Sequence, residues 1–216
     1  KKHNVVIVTG GSGLFVKALT DGLDEMPNAT LAIREKLMKR LEVEGIDTLA
    51  AELKEKDPAY TETVDLKNSQ RVVRALEVIE ATGRPFSDFH QKTKQNREFR
   101  WIKIGLERER EQLYHRINQR MEVMLASGLV EEVKSLAAYR THNALQTVGY
   151  KEVFDYLDGI YDYKTMVELL KRNSRRYAKR QMTWFKNQDT FEWFSPEEFE
   201  KIVVYIENQV KNSRNS

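Results

Sequence analysis

Apolar residues follow two rhythms along this chain. Val5, Val6, Ile7 and Val8 form an unbroken β-branched run, the pattern of a strand buried on both faces. The loop Thr9-Gly10-Gly11-Ser12-Gly13 follows, and Leu14, Phe15, Val16, Ala18 and Leu19 open a helix that stops at Asp21-Gly22. Strand, glycine loop and helix in that order belong to a parallel α/β sheet. Only one such unit occurs, whereas a doubly wound sheet needs several, so these residues look like the tail of a larger α/β domain.

After Pro27 the spacing turns helical. Ile33, Leu37 and Leu41 recur at i, i+4 and i+8 behind Asn28 or Thr30 as N-cap, and Gly45 ends the run. Asp47 caps a second helix carrying Leu49, Ala50 and Leu53, which stops at Asp57-Pro58. Asn68 caps a third, with Val72, Leu76 and Ile79 on one face and Gly83 beyond its end. Residues 85–98 are polar and loop-like. The period of two returns at residues 101–106, where Ile102, Ile104 and Leu106 share a strand face. A long helix with the stripe Leu113, Ile117, Met121 and Met124 comes next. No glycine or proline interrupts residues 160–195, which predicts another helix of many turns. A helical excursion between two α/β-type strands is the pattern of an insertion. We therefore expect an α/β core portion at residues 1–26 and 99–216, with a mostly helical insertion domain at 27–98 and long C-terminal helices.

Composition narrows the chemistry. The chain has 216 residues, 32% of them charged, and no apolar run approaches the ~20 residues that span a bilayer. No signal-peptide pattern precedes the first strand-like run. The absence of cysteine excludes disulfides, thiolate catalysis, iron–sulfur clusters and cysteine-ligated zinc. The four histidines, His3, His90, His115 and His142, show no metal-ligand spacing. The expected compartment is the cytoplasm. The net charge of +3 hides an uneven distribution. Lys171, Arg172, Arg175, Arg176, Lys179, Arg180 and Lys186 fall within sixteen residues that contain no acid, leaving the rest of the chain at −4. Such a block points to a polyanion.

Three features can carry that contact. The glycine loop, between strand and helix, offers backbone N–H groups to an anion. It lacks the lysine of a GxxxxGK[ST] loop, since Leu14 and Phe15 follow its last glycine, and taken alone it reads first as a tight turn that lets elements pack closely. On a helical wheel Arg172, Arg175, Arg176, Lys179, Thr183 and Lys186 form a ridge opposite Val167, Leu170, Ser174, Tyr177, Gln181 and Phe185. Like charges at Arg172/Arg176 and Arg175/Lys179 repel by about a few tenths of a kcal/mol per pair, a cost that an anionic ligand removes. Gln70, Arg71 and Arg74 sit at the start of the third insertion helix. The arginines either meet phosphates or pair with Glu77 or Glu80 as ordinary surface charges. Arg34 alone reads as a surface residue.

Taken together these segments resemble a family, the tRNA dimethylallyltransferases. Gly10-Gly11-Ser12-Gly13-Leu14-Phe15 is similar to its GGTGLY motif. Gln70-Arg71-Val72-Val73-Arg74-Ala75-Leu76-Glu77-Val78 with Thr82-Gly83-Arg84-Pro85 resembles its QRxxRALEV…TGxP block. Leu113-Tyr114-His115-Arg116-Ile117, Gly128-Leu129-Val130-Glu131-Glu132-Val133 and Val148-Gly149-Tyr150-Lys151-Glu152 are similar to its LYxRI, GLVEEV and GYKE elements. Residues 174–185 look like its TRRYAKRQxTWF helix. The blocks run in family order over nearly the whole chain. Ser12 and Ser174 stand where the family has threonine, and Phe15 where it has tyrosine. The GPTxxGKT-type loop and the DSxQ-type aspartate of the family do not occur in these residues.

The resemblance implies a phosphate-loop-type fold of the nucleotide- and ATP-binding class. It implies transfer of a dimethylallyl group from dimethylallyl diphosphate to N6 of the adenine beside the tRNA anticodon. Arg175 and Lys179 would serve the diphosphate with Mg²⁺, and Ser12 would offer its hydroxyl to the adenine. Arg34, Gln70, Arg71, Val72, Val73 and Arg74 would line the path of the anticodon stem-loop. The general base would be the aspartate that is not present. An incomplete version of the enzyme, inactive as this chain alone, is then expected, monomeric and not membrane-bound. Two other readings fit the residues: a noncatalytic RNA-binding module, and a nucleotide kinase, against which the missing lysine argues.

Overall fold

In the computed structural model, residues 3–90, 95–188 and 190–212 are described. The chain divides into two units, one of residues 1–13 and 100–216, the other of residues 14–99. The sequence had placed the division at 26/27 and 98/99.

The second unit is helical. Helix α1 (Gly13–Thr20) leads into it and is followed by α2 (Leu31–Lys56), α3 (Pro58–Thr61) and α4 (Ser69–Thr82). Thr30 caps α2 by accepting from the Ile33 N–H, and Asn68 caps α4 by accepting from the Arg71 N–H. Gly45 does not end its helix outright. It takes φ 80°, ψ 170° and kinks α2. Arg40 straddles that kink, bonding Glu44 and Glu52 at 2.8 Å each, and its guanidinium holds the Glu44 carboxyl below the usual range. Asp57, buried, takes the Tyr60 N–H and both the N–H and hydroxyl of Ser87, which closes the loop after α4 onto the end of α2. Leu37, Leu49, Leu53, Val72, Leu76 and Phe86 form the core. Burying these side chains is the main driving force for helices that are otherwise polar.

The first unit is α/β. Strands β1 (Ile104–Leu106) and β2 (Glu192–Phe194) pair in parallel, Gly105 opposite Trp193. A parallel pair requires a crossover, supplied here by α5 (Arg110–Ala126), α6 (Leu129–Ser135), α7 (Tyr150–Leu157) and α8 (Tyr163–Gln188); α9 (Phe199–Asn212) closes the unit. Met121, Leu129, Val133, Phe154, Met166 and Leu170 form its core. Gly149, at φ 107°, turns the chain into α7, where its N–H meets the Glu152 carboxylate at 2.7 Å.

Three sequence expectations are corrected. Residues 5–8 form no strand among the described residues, and their side chains are exposed, Ile7 at 82%. A strand exists only through its neighbours, and the single ladder among the described residues, β1–β2, does not include them. The strand at 101–106 is shortened to three residues, and its buried position is Gly105 rather than the Ile/Leu face. Trp193 covers Gly105 so closely that a Cβ there would lie 2.5 Å from the indole. Tyr177, assigned to the buried side of its helix, is 44% exposed.

At the junction of β2 and α9, Glu197 accepts from Ser195 and pairs with Arg108. These contacts pull its carboxyl down to about 2. A lowered folded-state pKa contributes stability above the ordinary glutamate value of about 4.3, and that contribution is lost as pH falls through the folded value. Carboxylate NMR titration is expected to give Glu197 a midpoint well under 4.3, and a normal midpoint would show that the pairing is absent in solution.

Candidate functional site

The site is built on α8. Its core side is fixed by Met166 and Leu170, both fully buried. Asn173 bonds Glu152 at 2.6 Å, and the Ser174 hydroxyl lies 3.6 Å from the Met121 sulfur. Tyr161 donates to the Glu152 carbonyl at 2.7 Å, and burial pushes its phenol up to about 12. The Gly149-to-Glu152 element is thus structural: it fixes the helix turn that carries Arg175.

The seven cations of its basic block, residues 171–186, divide into three groups. Lys171 and Lys186 are neutralised by Glu122 and Glu107, each at 2.5 Å. The Lys171 ammonium holds Glu122 below the usual carboxylate range. Arg172, Arg176 and Lys179 are exposed and make no side-chain ion pair or hydrogen bond with a described residue, and Arg180 lies over Tyr177 at 5.7 Å. Arg175 is held by a hydrogen bond to a neutral side chain and, among the described residues, has no carboxylate partner. Its Nη1 donates to Asn118 Oδ1 at 2.6 Å, and its Cζ stands 6.0 Å from the centre of the Tyr114 ring. A neutral amide and a ring fix the guanidinium fork, while its full charge remains for a ligand.

The glycine loop packs against the same helix. Gln181 donates to the Gly11 carbonyl at 2.7 Å, and Gly13 lies under Trp184, leaving no room for a Cβ. Both glycines therefore have a packing reason, and Gly10, with nothing within 4 Å of a Cβ, has none. Ser12, half-buried, sits between the two packed glycines.

On the helical unit the predicted residues separate. The side chains of Val72 and Val73 are buried in the core, where they hold α4. Glu77, 2% exposed, is clamped by Arg34 and Arg74 at 3.2 Å each, and Arg74 also donates to the Pro27 carbonyl. Gln70 and Arg71 are exposed at the start of α4. Of the two arginines in that motif, Arg74 has the carboxylate partner and Arg71 the open face.

An open groove of about 890 Å³ lies beyond the carboxyl ends of β1 and β2, lined by Glu107, Arg108, Glu109, Trp193, Glu197 and Glu198 among others. Its carboxylates oppose a polyanion. Among the described residues no group of three or more His, Asp or Glu side chains could hold a metal ion.

Sequence reasoning missed Tyr114, Asn118, Gln181 and Trp184 as site-building residues. The first two had a signal. They lie one turn apart and lead to Met121, so Asn118 is a polar residue on a helix edge that faces the core.

The IPP transferase family model matches residues 1–188. A tRNA dimethylallyltransferase of Cytophaga hutchinsonii is 50% identical over 210 residues, covering 97% of this chain and 69% of that protein. The crystal structure of a full-length tRNA isopentenylpyrophosphate transferase from Bacillus halodurans superposes with a TM-score of 0.57 at 34% identity, covering 94% of this chain and 66% of that one. A eukaryotic dimethylallyltransferase shares the fold, with a TM-score of 0.66 at 22% identity, covering 94% of this chain and 56% of its own. The chain belongs to the IPP transferase family.

Proposed function

We propose that this chain takes part in transfer of a dimethylallyl group from dimethylallyl diphosphate to N6 of the adenine beside a tRNA anticodon. The observation that carries the reading is Arg175, fixed in direction by Asn118 and Tyr114 and without a carboxylate partner among the described residues. In the reaction the C1–O bond of the donor breaks and diphosphate leaves with the electron pair. The C1–N6 bond forms, and N6 loses a proton. Charge builds on the departing oxygens, where a preoriented cation stabilises the transition state more than the ground state. Arg175 supplies that cation, and Lys179, one turn further along the ridge, adds a second. Ser12 presents its hydroxyl to the adenine, which must leave its stack to react. The proton from N6 is assigned to no residue of this chain. Mg²⁺ would come with the diphosphate and would add positive charge to the leaving group.

Recognition of the anticodon stem-loop falls to Gln70 and Arg71. Arg34 and Arg74 act indirectly, by tying α2 and α4 together through Glu77. We read the chain as a cytoplasmic monomer. Among the described residues no helix is long and apolar enough to cross a membrane.

The test is incorporation of labelled dimethylallyl into an anticodon stem-loop. It uses this chain and a fusion that supplies, from the Cytophaga hutchinsonii relative, the residues this chain does not cover. Transfer to N6 supports the reading. Stem-loop binding by a fusion that neither transfers the group nor binds dimethylallyl diphosphate would favour a noncatalytic RNA module, and phosphoryl transfer from ATP a kinase.

The two arginines of α4 are expected to respond differently. Arg71→Ala should weaken stem-loop binding and lower the slope of log affinity against log salt by about one. Arg74→Ala should leave that slope alone. It should instead cost about 1–3 kcal/mol in urea unfolding, because Glu77 loses one of its two partners; partial exposure of both guanidiniums favours the low end. Equal salt slopes for wild type and Arg71→Ala would remove Arg71 from the RNA path.

A further inference from the structure

We infer that Asn118 is the positioning residue of the diphosphate site, and that its neutrality is the property that matters. This inference rests on reading Arg175 as the diphosphate ligand. An arginine that must bind an incoming anion faces two opposed demands. Left free, it spends side-chain entropy on every binding event. Held by a carboxylate, it is fixed but already neutralised. The other cations of this chain illustrate both outcomes. Arg34 and Arg74 are spent on Glu77, Arg140 on Asp158 at 2.5 Å and Lys171 on Glu122, whereas Arg172 and Arg176 are exposed and have no side-chain partner among the described residues.

Asn118 meets both demands at Arg175. Its Oδ1 accepts one N–H at 2.6 Å, which sets the plane of the guanidinium. The remaining N–H groups of the fork keep their donors, and no negative charge is added. Asn118 is itself well anchored. It lies one turn from Tyr114 and one turn before the buried Met121 on α5, and both neighbours contact α8, at Arg175 and Ser174. Tyr114 completes the cradle. Arg110, at 5.2 Å from the same ring, stands over it as a second cation.

The experiment is calorimetric titration of the 216-residue chain with inorganic pyrophosphate. Wild type is compared with Asn118→Ala, Asn118→Asp, Arg175→Ala and the Asn118→Ala/Arg175→Ala pair, and thermal unfolding is recorded for each. Asn118→Ala should weaken pyrophosphate about tenfold, the scale of one hydrogen bond to a charged group. In the Arg175→Ala background the same change should have no further effect, because it acts only through Arg175. Asn118→Asp keeps shape and acceptor and should unfold no earlier than wild type, yet it should also lose pyrophosphate affinity, since the arginine is now neutralised.

A merely structural hydrogen bond predicts the reverse: Asn118→Asp binding like wild type, or Asn118→Ala costing the same in both backgrounds. Either result overturns the inference. If Arg175→Ala binds pyrophosphate as wild type does, the diphosphate reading of Arg175 itself fails, a result separate from anything Asn118 shows. Should Asn118→Ala unfold below the titration temperature, Asn118→Asp decides alone.

Discussion

Replacing Arg175 by alanine is expected to lower dimethylallyl transfer about 10²–10³-fold, the scale for one well-placed group that stabilises developing charge. Affinity for the stem-loop should fall far less, because the residue serves the leaving group. Arg175→Lys should recover only part of the rate. The charge returns, but an ammonium is a point donor without the planar fork that binds two phosphate oxygens at once. It also cannot present one N–H to Asn118 and a matched pair to the ligand. Arg172→Ala is the control. Arg172 lies on the same ridge, exposed and without a partner among the described residues, so its loss removes one unit of charge and no fixed geometry. Single-turnover rates with the fusion protein measure the comparison. Equal losses for Arg172→Ala and Arg175→Ala would reduce the ridge to an electrostatic surface and leave Arg175 no special role.

The helix ends were legible because they are local. Thr30, Asn68, Asp57-Pro58 and Gly83 act within a few residues of themselves, through caps and a left-handed turn, and the sequence states them directly. The basic ridge was legible for the same reason: a helical period and the absence of acids are both one-dimensional facts. What the period could not show is which cations meet carboxylates from elsewhere. The partner of Lys171 is 49 residues away and that of Lys186 is 79. Arg34 reaches Glu77 across 43 residues, which turns a lone surface arginine into half of a buried clamp. Arg74 was nearer to legible, since Glu77 lies three residues on. Residues 5–8 mark the opposite failure. Their β-branched run states a preference, but pairing is supplied by other strands, and β1 and β2 pair with each other.

The glycine loop can now be separated residue by residue, and Gly13 carries the larger effect. A Cβ at Gly13 would sit 2.4–2.7 Å from three ring atoms of Trp184. An indole cannot yield as a flexible side chain does; it must move as a body. Trp184 stands edge-on to Phe185 at 4.9 Å, Phe185 to Phe191 at 5.4 Å, and Phe191 lies 6.0 Å from Trp193 on β2. Displacing the first ring therefore presses on a row of aromatics that ends in the sheet. Overpacking of this kind costs about 1–3 kcal/mol. Alanine in place of glycine recovers about 0.4–1 kcal/mol by stiffening the unfolded chain, so Gly13→Val, larger still, is the cleaner variant and should lie at the top of the range. Gly11→Ala should cost less. Its Cβ meets the mobile end of Gln181, and the loss is the hydrogen bond to the Gly11 carbonyl, about 1 kcal/mol. Gly10→Ala has open space and should change stability by no more than about 0.5 kcal/mol. Urea unfolding of the 216-residue chain gives the order. Gly13→Val as stable as Gly10→Ala would mean that Trp184 does not seat on the loop. A Gly10→Ala variant that is stable but slow in transfer would locate the backbone's contact with the ligand at the one glycine of the three that packing does not explain.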